Sequence, residues 1–326
     1  MPDKYTKAVA VTPSDVTDLT TTAEGIYIGD GDYTDDDAYA TLAGDAGAAD
    51  WVGRAENVVT VTERGATTYF LDNQGSTGGS ALMDAEFKTT SGVNIPLVIT
   101  TEEDLNYKAA LSFNGQGYIT IPDHADFDFD DDFSVVMLVK WTDVASGNRE
   151  AILAKDFTDS SWMLFKSPAN ILKVLSSGSD PSSGLTVVND TWYIIEWSRS
   201  SGTQTIYVNG ESLGTPVTNT TDYSNSVDTY IGIGNDSGTT SPFKGNFAFL
   251  AVWEDSTLSA ADRVAVVNHL TDRYLTTPQV DVAYIASDDT SSITSKRLKR
   301  GTVHPLAVKR VMDTGTDGSS IVALYE

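Results

Sequence analysis

The sharpest chemical feature of the sequence is a run of acids alternating with rings, Asp126-Phe127-Asp128-Phe129-Asp130-Asp131-Asp132. In an extended segment this alternation sends carboxylates to one side and rings to the other. Hard oxygens grouped in this way suit Ca²⁺, which takes about six to eight oxygen ligands. Asp126, Asp128 and Asp130 are therefore the candidate metal ligands. The run lacks the Gly turn and the distal bidentate Glu of an EF-hand, so it reads first as a structural loop ahead of a core strand and second as a calcium site. A second acidic group, Asp30, Asp32 and Asp35 to Asp37, reads first as a solvated linker and second as a cation site.

Catalytic chemistry has little to stand on. The three histidines, His124, His269 and His304, show no metal-set or triad spacing, and no Gly-x-Ser-x-Gly elbow, phosphate loop or HExxH is present. Glu196, between Ile195 and Trp197, is the one obvious acid inside a strand, and a glycosidase needs two. The expectation is that the chain is not an enzyme. There are no cysteines, which removes disulfides, thiolate metal sites and cysteine nucleophiles together. Among the aromatics, Trp192, Trp197 and Trp253 sit amid apolar neighbours and read as core. Trp162 follows Asp159-Ser160-Ser161 at a strand start and is the candidate exposed platform for a sugar ring.

Charge is uneven along the chain. Basic residues number 21 against 46 acidic, a formal net of −25, which disfavours nucleic acid as a partner. Yet Lys296, Arg297, Lys299, Arg300, Lys309 and Arg310 crowd into fifteen positions near the end. They read either as solvated strand faces or as a docking patch for an acidic surface.

The elements that must hold these groups are almost all strands. Leu111 to Phe113, Tyr118 to Ile121, Phe133 to Trp141, Trp192 to Trp197, Thr205 to Val208, Tyr230 to Ile233 and Phe247 to Trp253 are rich in β-branched and aromatic residues. Turn chemistry separates them, including Asn114-Gly115 and Asn209-Gly210. Many short strands at this spacing predict an all-β antiparallel sandwich. One helix is well signed near 259–275: Ser259 caps it, and Val264, Val267, Leu270 and Tyr274 supply an apolar face. A hydrophobic share of 40% in 326 residues is enough for real cores. No apolar run approaches the roughly 18 residues that span a bilayer, and the first residues carry no secretory signal. The expectation is a soluble chain without membrane insertion.

Two resemblances follow from ordered motifs. Ala110-Leu111-Ser112-Phe113-Asn114-Gly115, Tyr118 to Asp123 and Phe133-Ser134-Val135 resemble the opening of a laminin-G-like, concanavalin A-like domain. The likeness continues through Ala151 to Lys155, Asp190-Thr191-Trp192-Tyr193, Thr205 to Gly210, Tyr230 to Gly234, Phe243 to Phe247 and Leu258 to Ala261. It implies a lectin-like jelly roll over 108–276. Ala8 to Asp15 with Gly25 to Gly29, and Arg300 to Val311 with Ile321 to Tyr325, resemble the two halves of a small β domain at the base of phage and gene-transfer-agent head spikes. That resemblance implies a discontinuous anchoring domain, a small β-sandwich or barrel, from 1–30 plus 281–326. The lectin-like domain would be inserted in it, with 31–107 as a connecting region. It further implies a tailed-phage virion protein on the capsid surface, assembled in the host cytoplasm, as head decoration or spike. Its partners would be the major capsid protein or other virion proteins, copies of itself as a trimer or pentamer, and a cell-surface glycan. No cofactor is expected beyond Ca²⁺ at the acidic run. A tail fibre or baseplate adhesin, and a free carbohydrate-binding protein or glycosidase, are the alternatives.

Overall fold

The computed structural model describes residues 7–11, 25–28, 42, 46–63, 66–78, 80–83, 86–88, 94–96, 98–105, 108–115, 117–155, 162–176, 180–236, 239–275, 279–286, 293–299, 303–304, 306–312 and 321–325. The chain divides into two compact units, Asp37–Thr271 and a second one made of Met1–Asp36 with Asp272–Glu326.

The Asp37–Thr271 unit consists of two antiparallel layers. One sheet runs Val98–Glu102, Lys108–Asn114, Lys244–Trp253, Phe133–Trp141, Trp192–Ser200, Thr203–Val208, Glu211–Thr218, each strand antiparallel to the next. Trp51–Arg54 pairs with the far half of Lys244–Trp253. The other sheet runs Val58–Glu63, Ala66–Asp72, Ser80–Met83, Ile119–Ile121, Thr229–Ile231, Glu150–Lys155, Trp162–Lys166, Ile171–Ser176, Ser182–Thr186. At one rim Ser182 pairs with Thr215 and joins the two sheets into a closed, curled barrel. Gly214 makes that join possible. Its φ is +76°, and a Cβ there would sit 1.9 Å from the Ser182 carbonyl oxygen.

Alternation along the strands sends one set of side chains inward. Leu111, Phe113, Ile119, Ile121, Val135, Met137, Leu153, Leu164, Ile195 and Ile231 meet in one core. Aromatic rings fill its end near the acidic run: Phe129 stacks on Phe133 at 4.3 Å and on Trp162 at 5.2 Å, and Phe133 meets Trp197 edge-on at 4.6 Å. All nine residues of Phe133–Trp141 are buried, so this strand is covered on both faces rather than one.

The α-helix of this unit, Ala260–Leu270, starts at Ser259, whose Oγ accepts from the Asp262 amide at 3.2 Å. Of the expected apolar face, Leu270 and Tyr274 are buried and Val267 is half-buried, but its first residue turns outward. Val264 is 56% exposed, whereas Asp262, Arg263, Val266 and Leu270 are buried. The reason is electrostatic: Arg263 turns inward to pair with Glu196.

In the unit made from the two chain segments, one sheet has the order Lys7–Val11, Ile321–Tyr325, Gly25–Ile28, Val303–His304. Val9 stands opposite Ala323, and Ala323 opposite Ile26. A second sheet places Gln279–Ala286 between Ile293–Lys299 and Val308–Val311. Ala283, Ile285 and Met312 form a small core there, and the Met312 amide donates to the Ala283 carbonyl at 2.8 Å. No helix among the described residues is long and apolar enough to cross a membrane. The architecture is mostly β, antiparallel and curled like a jelly roll, with a single short helix.

Candidate functional site

Four loops of the Asp37–Thr271 unit converge on an acidic end. Asp50, ahead of Trp51–Arg54, accepts the Glu254 amide on Oδ2 at 2.9 Å and the Ser76 hydroxyl on Oδ1 at 3.2 Å. Thr77 donates through Oγ1 to Asp126 Oδ2 at 2.7 Å, and its oxygen lies 2.7 Å from the Asp50 carbonyl. Asp130, Glu254 and Asp255 each offer a carboxylate oxygen, all within 4.8 Å of one another. Burial and the neighbouring charges of Asp255, Asp126, Asp50 and Asp130 push the Glu254 carboxyl up to about 7. Burial and Asp130 raise Asp255 as well. The cluster holds more negative charge than it can keep ionised near neutral pH. A hard divalent cation or a retained proton relieves that repulsion, and the donor set fits a cation such as Ca²⁺.

Arg199 fixes the loop that presents Asp130. Its guanidinium donates to the carbonyls of Asp131 and Thr221, each at 2.6 Å, and of Phe129 at 3.0 Å. It is buried between the rings of Phe133 and Tyr223, 5.2 and 5.4 Å from their centroids.

The expected ligand set is corrected on two of three residues. Residues Ala125–Phe127 form a 3-10 turn, so the extended alternation fails at its start. Asp126 is only 2% exposed, with its carboxylate held by Thr77 and lying 3.1 Å from His124 Nδ1. Asp128, with Asp123, neutralises the fully buried Lys155 ammonium and accepts the Asn225 amide. Asp130 alone of the three joins the cluster. Glu254 and Asp255 were not anticipated, although two adjacent acids directly after a strand ending in Trp253 were visible in the sequence.

Trp162 is also corrected. It is fully buried in the aromatic core and its whole strand, Trp162–Lys166, is buried, so it offers no ring face to a sugar. Glu196 is no catalytic acid on display either: it is buried and paired with Arg263 at 2.6 Å. The basic residues fall on one three-stranded sheet of the other unit. Lys296, Arg297 and Lys299 stand in register with Val282, Asp281 and Gln279, while Lys309 and Arg310, both half-buried, belong to the strand on the other side. Arg300 and the Asp30 to Asp37 group lie outside the described residues.

An all-β antiparallel jelly-roll sandwich with one short helix was the expected architecture, and residues 113–262 match the family model Laminin_G_3, described as the concanavalin A-like lectin/glucanases superfamily. The sandwich is a concanavalin A-like domain. Its fold is lectin-like. Similar solved structures include domain 4 of AbnA, an extracellular GH43 arabinanase from Geobacillus stearothermophilus bound to arabinotriose. The identity is 17% and the TM-score 0.48, over 60% of this chain and 91% of that one. A Trypanosoma rangeli sialidase is similar at 11% identity and TM-score 0.39, over 66% of this chain. The chain spans only 44% of the sialidase's length. No curated protein shows a significant match to this sequence, and the phage-spike resemblance of the chain segments has no counterpart among these similarities. The expectation that the chain is not an enzyme is corrected: the family model matching residues 113–262 is described as joining lectins with glucanases, so the fold gives no ground for excluding catalysis.

Proposed function

We propose that the concanavalin A-like domain is a carbohydrate-recognition unit carried on an anchoring unit made from the two ends of the described chain. The observation that carries this reading is the strand order Lys7–Val11, Ile321–Tyr325, Gly25–Ile28. A late strand lies between two early ones, so the sandwich is a single excursion from one small unit, a way in which a display domain is mounted on a base. Under this reading the base docks on the capsid surface of a tailed phage, as head decoration or spike. The docking residues are Lys296, Arg297, Lys299, Arg300, Lys309 and Arg310, and the partners are the major capsid protein and copies of this chain. Calcium is the proposed cofactor, at Asp130, Glu254 and Asp255. The test is twofold. Purified particles are expected to contain the chain in stoichiometric amounts, and the isolated protein is expected to bind a glycan array. A chain absent from particles sinks the display role; a blank array sinks recognition.

One observation favours a second reading, glycoside cleavage. A carboxyl held up to about 7 beside two other carboxylates is the arrangement in which one acid protonates a leaving oxygen while another stays ionised. Release of reducing sugar from a polysaccharide panel, lost in Glu254→Gln, supports it; no release from any of them removes it.

A further inference from the structure

Lys166 and Glu150 stand opposite one another on adjacent strands, and their side chains are 0% and 2% exposed. Lys166 is also in register with Leu172, a core residue, so it lies on the inner side of the sheet. Its Nζ is 3.2 Å from Glu150 Oε1 and 3.3 Å from Asn170 Oδ1. The carbonyls of Val144 and Asn148, each at 3.3 Å, and Ser146 Oγ at 3.5 Å surround it further. Ser146 also donates to Glu150 Oε1 at 2.6 Å. A primary amine, a carboxamide and a carboxylate thus meet where solvent does not reach.

Asn170 is fixed in place beside the amine. Its φ is +62°, a left-handed conformation that few side chains adopt. Its amide donates to the Ser167 carbonyl and its carbonyl accepts the Val187 amide, each at 2.8 Å. The carboxamide carbon is one bond from the oxygen that Nζ touches, and held neighbours react as one molecule rather than two. Water that would compete for that carbon is excluded. Two opposite charges buried together also carry a desolvation penalty, which a reaction ending in neutral groups removes. Asn170 itself is half-buried, which leaves a small leaving group a way out.

We infer that Lys166 and Asn170 join in an intramolecular amide, with Glu150 carrying the protons. Glu150 takes one proton from the ammonium, and the freed Nζ lone pair bonds to Asn170 Cγ. The Cγ–Nδ2 bond then breaks. Nδ2 leaves as ammonia with the proton that Glu150 returns, and Nζ passes a second proton to Glu150. The products are a neutral amide, ammonia and a protonated Glu150, and no outside reactant is needed. The link uses neither the acidic end nor a glycan.

Mass spectrometry of the purified full chain tests it. The chain is expected to be lighter than its sequence by one ammonia. Trypsin acting on the denatured chain is expected to spare Lys166 and to leave 156–173 as one looped peptide. Full sequence mass overturns the link. A succinimide at Asn170 also loses ammonia but leaves Lys166 open to trypsin, so that pattern overturns it too. Asn170→Gly keeps the left-handed turn and is expected to restore full mass and cleavage at Lys166; a link that persists there overturns Asn170 as the acceptor. Glu150→Gln, checked for folding by circular dichroism, is expected to restore both as well, and persistence in that variant overturns Glu150 as the proton carrier.

Discussion

Arg263 grips Glu196 at two points: Nε lies 2.6 Å from Oε2 and Nη2 lies 2.9 Å from Oε1. The guanidinium also covers the Tyr207 ring at 3.5 Å and reaches the Leu258 carbonyl at 3.2 Å. Both residues are buried, and burial pushes the Glu196 carboxyl up while Arg263 pulls it back down. This pair fastens the one helix of the sandwich to Trp192–Ser200. Arg263→Met strands a buried carboxylate and is expected to cost about 3–5 kcal/mol. Glu196→Gln/Arg263→Met, which removes both charges, is expected to recover part of that loss. Urea unfolding of the two variants measures the difference, and equal midpoints would count against a buried charge as the cause.

Arg199 spends its donors on three carbonyls rather than on a carboxylate. Lysine has the charge without the planar fork. Arg199→Lys is expected to lower stability by about 2–4 kcal/mol through carbonyls left unpaired. Amide exchange is expected to speed up at Asp130, Asp131 and Thr221 before it does elsewhere. Uniform acceleration over the whole domain would show that Arg199 does not hold these loops in particular.

The acidic end sets a pH dependence. Glu254 has its carboxyl raised from 4.5 to about 7, so between those values the folded state binds more protons than the unfolded one. Stability therefore falls as pH rises from about 4.5 to 7 and levels off above. Partial exposure screens the effect to roughly 1–2 kcal/mol. Glu254→Gln is expected to flatten that slope and to raise the melting temperature at pH 8 in a chelating buffer. Added Ca²⁺ is expected to raise it in the wild type and less in the variant. A wild-type melt that is indifferent to both pH and Ca²⁺ would refute the clustered charge.

Gly214→Ala places a methyl group against the Ser182 carbonyl in a backbone conformation that side chains seldom adopt. The rim between Ser182 and Thr215 has to open. A loss of about 2–3 kcal/mol is expected from strain and the broken pairing, read from chemical denaturation. An unchanged midpoint would mean that the rim is closed by something else.

Trp162 and Trp197 are neighbours, 5.4 Å between ring centroids, yet they differ at nitrogen. Trp197 Nε1 donates to Gln204 Oε1 at 3.2 Å, whereas Trp162 Nε1 has no partner among the described residues. Phenylalanine should therefore be tolerated better at 162 than at 197, by about 1 kcal/mol, because only the second change leaves Gln204 short of a donor. Neither change is expected to alter glycan binding. Loss of binding in Trp162→Phe would restore that residue as a sugar contact.

Strands and turns were legible because their causes are local. Asn209-Gly210 adopts φ values of 50° and 86° and turns Thr203–Val208 directly into Glu211–Thr218, as an Asn-Gly pair between alternating runs demands. The site was less legible because its causes are distant. Asp126 and Asp128 stood as candidate ligands beside the loop reading, but Thr77 and Lys155, far off in sequence, engage them. The helix face was misjudged by hydrophobicity alone: Val264 is more apolar than Arg263, yet Arg263 had a buried partner waiting. Trp162 looked exposed because polar residues precede it, while its surroundings are set by Phe129 and Trp197.

The interleaving of Ile321–Tyr325 between Lys7–Val11 and Gly25–Ile28 has a consequence for biosynthesis. The two early strands leave the ribosome with the neighbour they share still untranslated, and every strand of the sandwich is made before it appears. The sandwich, whose strands are all complete by Trp253, is free to assemble meanwhile. A chain cut short before Ile321 would hold every strand of the sandwich while the other sheet lacked the strand between Lys7–Val11 and Gly25–Ile28, so that sheet is the last to close.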